Sequence, residues 1–235
     1  MYRSPDYFRV ERSGAIGYGD YFADEPMYRT YFRRKMAALS RYARPPGRLF
    51  EIGAAAGYAL DEAAKAGWDA AGVELSPLAV AFARDRFGAD VHEGGIEDLP
   101  ANGSYDAVVA FQVVEHIADV GAGLRAIARA LRPDGVALLT TPDHGSLVRR
   151  LMRRFWISYR PEHLVYFDRR TIRTLLGQCG LEVLSVRGDD PLHAPVGRLL
   201  ERAAHYYAAR SIPTLRSLSV PIWLGDMEII VRRRG

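Results

Sequence analysis

Cysteine is almost missing: Cys179 is the only one in 235 residues. No intramolecular disulfide can form, and nothing points to an oxidising compartment. Long apolar runs are also lacking, since none approaches the roughly 20 residues that a membrane-spanning helix needs. The opening stretch MYRSPDYFRVERSG is too charged to serve as a secretory leader, so a cytoplasmic location is expected. Internal repeats and low-complexity tracts are missing too, which excludes solenoid and fibrous architectures. Lysine is scarce, with Lys35 and Lys65 alone, so arginine carries most of the positive charge. A net charge of +4 invites a nucleic-acid reading. Yet residues 144–173 hold eight arginines against Glu162 and Asp168, which leaves the rest of the chain slightly acidic. The basicity is local, and no specific nucleic acid is expected. No set of His, Cys, Asp and Glu has metal-ligand spacing along the chain, so no metal is expected either.

What is present is an ordinary globular composition, 49% apolar and 26% charged, sized for one α/β domain. Apolar residues recur at helical spacing from Pro26 to Tyr42 (Met27, Tyr31, Met36, Leu39), until Pro45-Pro46-Gly47 ends the segment. Beyond it, short apolar runs alternate with helical stretches, the pattern of βαβ units. Strands are expected at 48–52, 70–75, 89–92, 106–111, 136–140, 181–187 and 227–232. Ser76, Asp119 and Asp168 are placed to cap helices. The expectation is a doubly wound α/β fold: a seven-stranded sheet with helices on both faces. Residues 1–45 would form an N-terminal helical cap or lid. Residues 46–235 would form the main domain, with substrate-covering insertions at 143–167 and 188–225 after the fifth and sixth strands.

The segment LFEIGAAAGYAL (49–60) is the most informative. A glycine turn between a first strand and its helix lets backbone approach a ligand closely. Dinucleotides want G-x-G-x-x-G there. Here Gly53 is followed by Ala55, and Gly57 falls one residue early, so the pattern is E-x-G-x-A-x-G. Glu51 beside the loop would repel a pyrophosphate but attract a ligand carrying an ammonium and a sulfonium. S-adenosylmethionine carries both. The alternative for the loop alone is a tight strand-to-helix connection. Glu74, closing the second strand in GVELSP, can accept hydrogen bonds from both ribose hydroxyls; alone it would read as a solvated strand-end acid. In GGIEDLP, Ile96 could pack on adenine and Glu97 read its amino group, although an acidic loop needs no ligand to exist.

The ordered set EIGAAAG, GVELSP, GGIEDLP, YDAVVAFQVVEHI and LRPDGVALLTTP resembles the class I S-adenosylmethionine-dependent methyltransferases. Within them it is most similar to the small-molecule branch that includes the ubiquinone-biosynthesis O-methyltransferases, over about residues 46–186. The resemblance implies that Glu51, Gly53, Ala54, Ala55 and Gly57 form the methionine-end loop and Glu74 the ribose acid, with Leu75 beside it. Ile96 and Glu97 would contact adenine, and Gln112 and Val113 would flank the cofactor. It also implies strand order 3-2-1-4-5-7-6 with the seventh antiparallel. Glu stands for the usual Asp at 51 and Ala for Gly at 55.

The implied activity is methyl transfer to a small-molecule acceptor, with oxygen the first choice and nitrogen or carbon the alternative. An oxygen nucleophile needs help losing its proton. His116, just after the fourth strand, and His144, after the fifth, are the candidate bases. The bland reading of Glu115-His116 is a turn that lines the pocket without moving protons. His163 reads mainly as structural; His92, His193 and His205 read as surface or loop, and Cys179 as a small core residue. Tyr18 or Tyr21, in an aromatic-rich 15–35 segment folded over the sheet edge, would stand near the sulfonium or acceptor. Leu147, Leu151, Met152 and Phe155 share a face in 146–156, with arginine pairs on the others. Such a segment reads as a lid helix, as a holder for a phosphorylated acceptor, or as weak membrane-surface contact. A homodimer is a further partner reading. The rivals are a nicotinamide-dependent oxidoreductase, disfavoured by the glycine spacing and Glu51, base methylation of nucleic acid, disfavoured by FQVVEH after the fourth strand, and a non-catalytic binding module.

Overall fold

A computed structural model describes residues 24–195 and 219–235. Five apolar runs form parallel strands: β1 (Arg48–Ile52), β2 (Asp69–Glu74), β3 (Asp90–Glu93), β4 (Tyr105–Phe111) and β5 (Leu131–Pro142). Then come β6 (Leu181–Gly188), β7 (Leu192–Pro195), β8 (Ser219–Ile222) and β9 (Asp226–Arg233). β7 and β8 make a separate antiparallel ribbon, while the other seven strands form one sheet in the order 3-2-1-4-5-9-6. β9 runs antiparallel to both β5 and β6. Counted within the sheet alone, this is the order 3-2-1-4-5-7-6 that the motifs implied. β5 begins five residues earlier than expected, because Leu131 pairs with Tyr105 before a register shift ahead of Ala107.

Alternation along the strands separates two cores. On one face Leu49, Val109 and Leu138 meet α1 (Glu25–Leu39), α2 (Tyr58–Lys65) and α3 (Pro77–Phe87) through Leu39, Leu60 and Val80. On the other, Phe50, Val108 and Leu139 meet α4 (Val120–Ala130), as well as α6 (Arg169–Gln178), through Leu124, Ile127 and Ile172. Ala107 to Ala110 are all buried, as a central strand covered on both faces requires. The three expected caps are present: Ser76, Asp119 and Asp168 each accept a backbone N–H of the first turn of α3, α4 and α6. Cys179 is buried, as expected of a small core residue.

The 146–156 segment departs from the lid reading. Only α5 (Leu147–Met152) is α-helical, a 3₁₀ turn follows, and no residue of α5 is buried. Leu147, Leu151 and Phe155 face solvent instead of covering a pocket. Trp156 is the anchor: it is buried, and its indole N–H donates to the Leu224 carbonyl at 2.7 Å. No helix of the described residues is long and apolar enough to cross a membrane.

One of the two lysines ties the architecture together. Lys35, on the inner face of α1, is wholly buried and bonds Glu228 of β9 at 2.7 Å, Asp190 at 3.0 Å, and Asp189. Arg187 of β6 reaches the other oxygen of Glu228 at 2.7 Å. Removing one partner of a buried charge cluster leaves the others unpaired in a low-dielectric setting. Lys35→Ala is therefore expected to cost about 3–5 kcal/mol of stability, measured by urea denaturation. A loss below about 1 kcal/mol, the scale of a surface pair, would show that the carboxylates do not depend on it.

Candidate active site

The loop between β1 and α2 is shaped by backbone conformation. Gly53, Ala55 and Gly57 have φ of 74°, 47° and 79°, so every second residue is left-handed. The amides of Gly53 and Ala54 donate to the Val73 carbonyl at 2.9 and 3.0 Å, which clamps the loop on the end of β2. A Cβ on Gly53 would stand 2.8 Å from Val113 Cγ2, so the turn after β4 closes directly on this loop. Ala55 adopts the conformation glycine would have, at a cost of about 1 kcal/mol. Glu74 offsets it: Oε2 accepts the Ala55 N–H at 2.8 Å, while Oε1 accepts the Ser76 N–H at 2.8 Å. Glu74, the expected ribose acid, is thus the anchor of the loop. Leu75 beside it is half-buried.

Glu51 is buried, and its Oε2 has no hydrogen-bond partner. Burial first, and the nearby Glu74 carboxylate second, push its pKa well above the usual range. Such an acid stays protonated unless a cation arrives. An ammonium or sulfonium supplies that charge, so the residues present fit the methionine end of S-adenosylmethionine. Beyond β3, Ile96 is half-buried and points to Gly123 of α4, while Glu97 is exposed and the Gly95 amide is capped by Asp98 at 2.9 Å. Gln112 has φ 55°, and its amide donates to the Thr140 carbonyl at 3.0 Å, fixing the turn after β4. Tyr18, Tyr21 and His205 lie outside the described residues.

The two candidate bases lie in one neighbourhood. His116 Nδ1 donates to the Glu162 carbonyl at 2.9 Å, and its ring meets His163 edge-on at 4.7 Å between centroids. Burial lowers its pKa, so the ring is neutral at pH 7. His144 Nε2 lies 3.2 Å from the Tyr159 hydroxyl, and His144 and His163 both border Tyr166. Sequence reasoning reads His163 mainly as structural, because 47 positions separate it from His116. Glu115 was read as a turn former, yet it is wholly buried. Burial raises its pKa to about 8. Tyr31 and Asp226 had no motif to announce them. The Tyr31 hydroxyl donates to Asp189 at 2.6 Å, which carries α1 to the carboxyl edge of the sheet.

Residues 25–186 match the methyltransferase-domain family. The chain belongs to that family. A Mycolicibacterium smegmatis protein, named a probable S-adenosylmethionine-dependent methyltransferase, is 36% identical over 117 residues, 48% of this chain and 46% of the relative. A ubiquinone biosynthesis O-methyltransferase of Xanthomonas campestris is 32% identical over 109 residues, 43% of this chain and 46% of the relative. The chain thus spans about half the length of the curated relatives it matches. A solved S-adenosylmethionine-dependent methyltransferase of Archaeoglobus fulgidus superposes with a TM-score of 0.62 at 17% identity, covering 91% of this chain and 99% of that one. That likeness bears on the fold, which is the class I methyltransferase sheet. S-adenosylmethionine is the cofactor of this class.

Asp226 opens β9 with Oδ1 buried and unpartnered. Burial, reinforced by the Asp189 charge, raises its pKa from 3.8 to about 7. The stability linked to this raised pKa is fully present below the unfolded value and is lost as pH rises through the folded one. Wild-type protein should therefore lose melting temperature between pH 4 and 7 in part through Asp226. Asp226→Asn should flatten that slope in thermal scans. Parallel wild-type and variant profiles would contradict the assignment.

Proposed function

We propose that the chain transfers the methyl group of S-adenosylmethionine to an oxygen of a small-molecule acceptor. The observation that carries the cofactor half is Glu51: a buried carboxylate oxygen without a partner, beside a loop whose glycines admit close approach. In this reading Gly53, Ala54, Ala55 and Gly57 cradle the methionine end, and Glu51 faces its positive charge. Glu74 takes the ribose hydroxyls, with Leu75 alongside. Ile96 and Glu97 border the adenine, and Gln112 and Val113 flank the cofactor. When bound, S-adenosylmethionine would supply an electrophilic methyl group on sulfur, which these residues would hold facing the acceptor oxygen. The protein's task is alignment and exclusion of water.

Oxygen is supported by the imidazoles of His116 and His144 near the same sheet edge, and by the O-methyltransferase named above. The first test is calorimetry with S-adenosylmethionine and NADH, in which only the former should bind. Glu74→Ala should weaken binding by about 1.5–3 kcal/mol, the worth of hydrogen bonds to a charged group. Gly53→Val should abolish binding, because its side chain would collide with Val113. Normal S-adenosylhomocysteine affinity in both folded variants would reduce the loop to a structural turn. A panel of phenols, sugars and carboxylic acids then identifies the acceptor.

Weak contact with an anionic membrane surface is the partner reading that the exposed apolar side chains support. Leu147, Leu151 and Phe155 stand exposed among Arg149, Arg150, Arg153 and Arg154. Co-sedimentation with anionic vesicles should fall on Leu151→Glu/Phe155→Glu substitution. Equal sedimentation of the variant would discard this reading.

A further inference from the structure

We infer that Glu115, His116 and His163 form a site for a divalent transition-metal ion at the carboxyl edge of β4 and β5. One carboxylate oxygen and one nitrogen from each imidazole all lie within 4.8 Å of one another. Two of the three side chains have an unsatisfied atom. Glu115 is 0% exposed, and while Oε2 accepts the Thr141 hydroxyl at 2.9 Å, Oε1 has no partner. His163 Nδ1 is likewise buried without a partner, although the ring has a backbone hydrogen bond to Ser158. Burying such atoms without partners is costly, and a cation satisfies both at once.

The third ring is oriented as ligands usually are. His116 Nδ1 donates to a carbonyl, which places the lone pair of the neutral ring on Nε2. Metal-bound histidines almost always carry such an outer hydrogen bond. The carbonyl belongs to Glu162, next to His163, and Leu164 N–H donates to the Glu115 carbonyl at 2.8 Å. The two chain segments that supply the ligands are therefore stitched together by backbone. Two imidazoles and one carboxylate suit zinc, iron(II), manganese or cobalt rather than magnesium or calcium. The other such grouping among the described residues, Asp189, Asp190 and Glu228, already encloses the Lys35 ammonium.

Three protein ligands leave coordination positions open, as in catalytic rather than structural sites. Glu115 and His116 stand just beyond the Gln112-Val113 turn proposed to flank the cofactor, with Val114 between, so an acceptor hydroxyl is the ligand for an open position. A divalent ion lowers the pKa of a bound hydroxyl, which then releases its proton to water before attack on the methyl group. In that case His116 is a ligand and not the base. This role rests on the oxygen-methylation reading; the ion site does not.

Tag-free full-length protein, stripped with a chelator, should bind one Co²⁺ per chain by equilibrium dialysis and elemental analysis, with visible d–d absorption. Its melting temperature should rise with Co²⁺ concentration and saturate. His163→Ala and Glu115→Gln should each lose at least about tenfold in affinity, whereas His92→Ala, on the exposed end of β3, should not. Circular dichroism verifies that the variants fold; if neither does, the wild-type titration decides alone. Absence of Co²⁺ binding by wild type, or equal binding by folded variants, would overturn the site. Calorimetry with S-adenosylmethionine on metal-free protein keeps the two readings apart. Cofactor binding without Co²⁺ binding fails the ion site only, and Co²⁺ binding without cofactor binding fails the methyltransferase reading only.

Discussion

Burying carboxylates at one edge of a sheet is the constraint around which this molecule is arranged. Glu51, Glu74, Glu115, Asp143 and Glu228 are all buried at or just beyond the carboxyl ends of β1, β2, β4 and β5, or on β9 where it passes β5. Each must be hydrogen-bonded, paired or held neutral. Three are provided for within the chain: Glu74 by two backbone amides, Glu228 by Lys35 and Arg187, and Asp143 by Arg169 at 2.9 Å. Glu51 and Glu115 keep an oxygen with no partner. The division separates structure from function. Acids satisfied internally hold the fold, and the open oxygens of Glu51 and Glu115 are the ones on which the two proposals rest.

The same division explains why α1 matters to a site it does not line with its whole length. Its Lys35 neutralises the cluster between β6 and β9, and its Tyr31 donates to Asp189 of that cluster. Tyr31 and Phe32 also pack against Phe111, the last residue of β4. Helix, sheet edge and the chain after β6 are thereby fixed to one another. The turn after β4 starts from a strand whose end is held by aromatic contact on one side and by Thr140 on the other.

Much of this was legible in the sequence because the deciding contacts are local. E-x-G-x-A-x-G spans seven residues, and its conformation follows from glycine and alanine at alternating left-handed positions. Caps at Ser76, Asp119 and Asp168 are set by neighbours within one turn. What escaped was non-local. Glu115 and His116 meet His163 across 48 and 47 positions, beside a His116 side-chain bond to the Glu162 carbonyl and a Leu164–Glu115 backbone bond that no spacing rule describes. Tyr31 and Asp189 are 158 positions apart. The amphipathic pattern of 146–156 misled for another reason. Periodicity reports that apolar residues share a face, not that a partner covers it, and here Leu147 and Leu151 face solvent.

β9 lies inside the sheet, between β5 and β6, yet follows every other strand in the chain. During synthesis from the N-terminus, β6 and α6 therefore leave the ribosome before β6 has a strand to pair with. Until β9 arrives, the outer side of β5 is an open edge, and Glu228 is not yet present to receive Lys35. The first five strands can assemble as they emerge, because each adds to a neighbour already made. The final insertion, by contrast, must displace whatever has settled on β5. A nascent chain of this architecture is most exposed to mispairing and chaperone capture late, in the interval between completing β6 and completing β9.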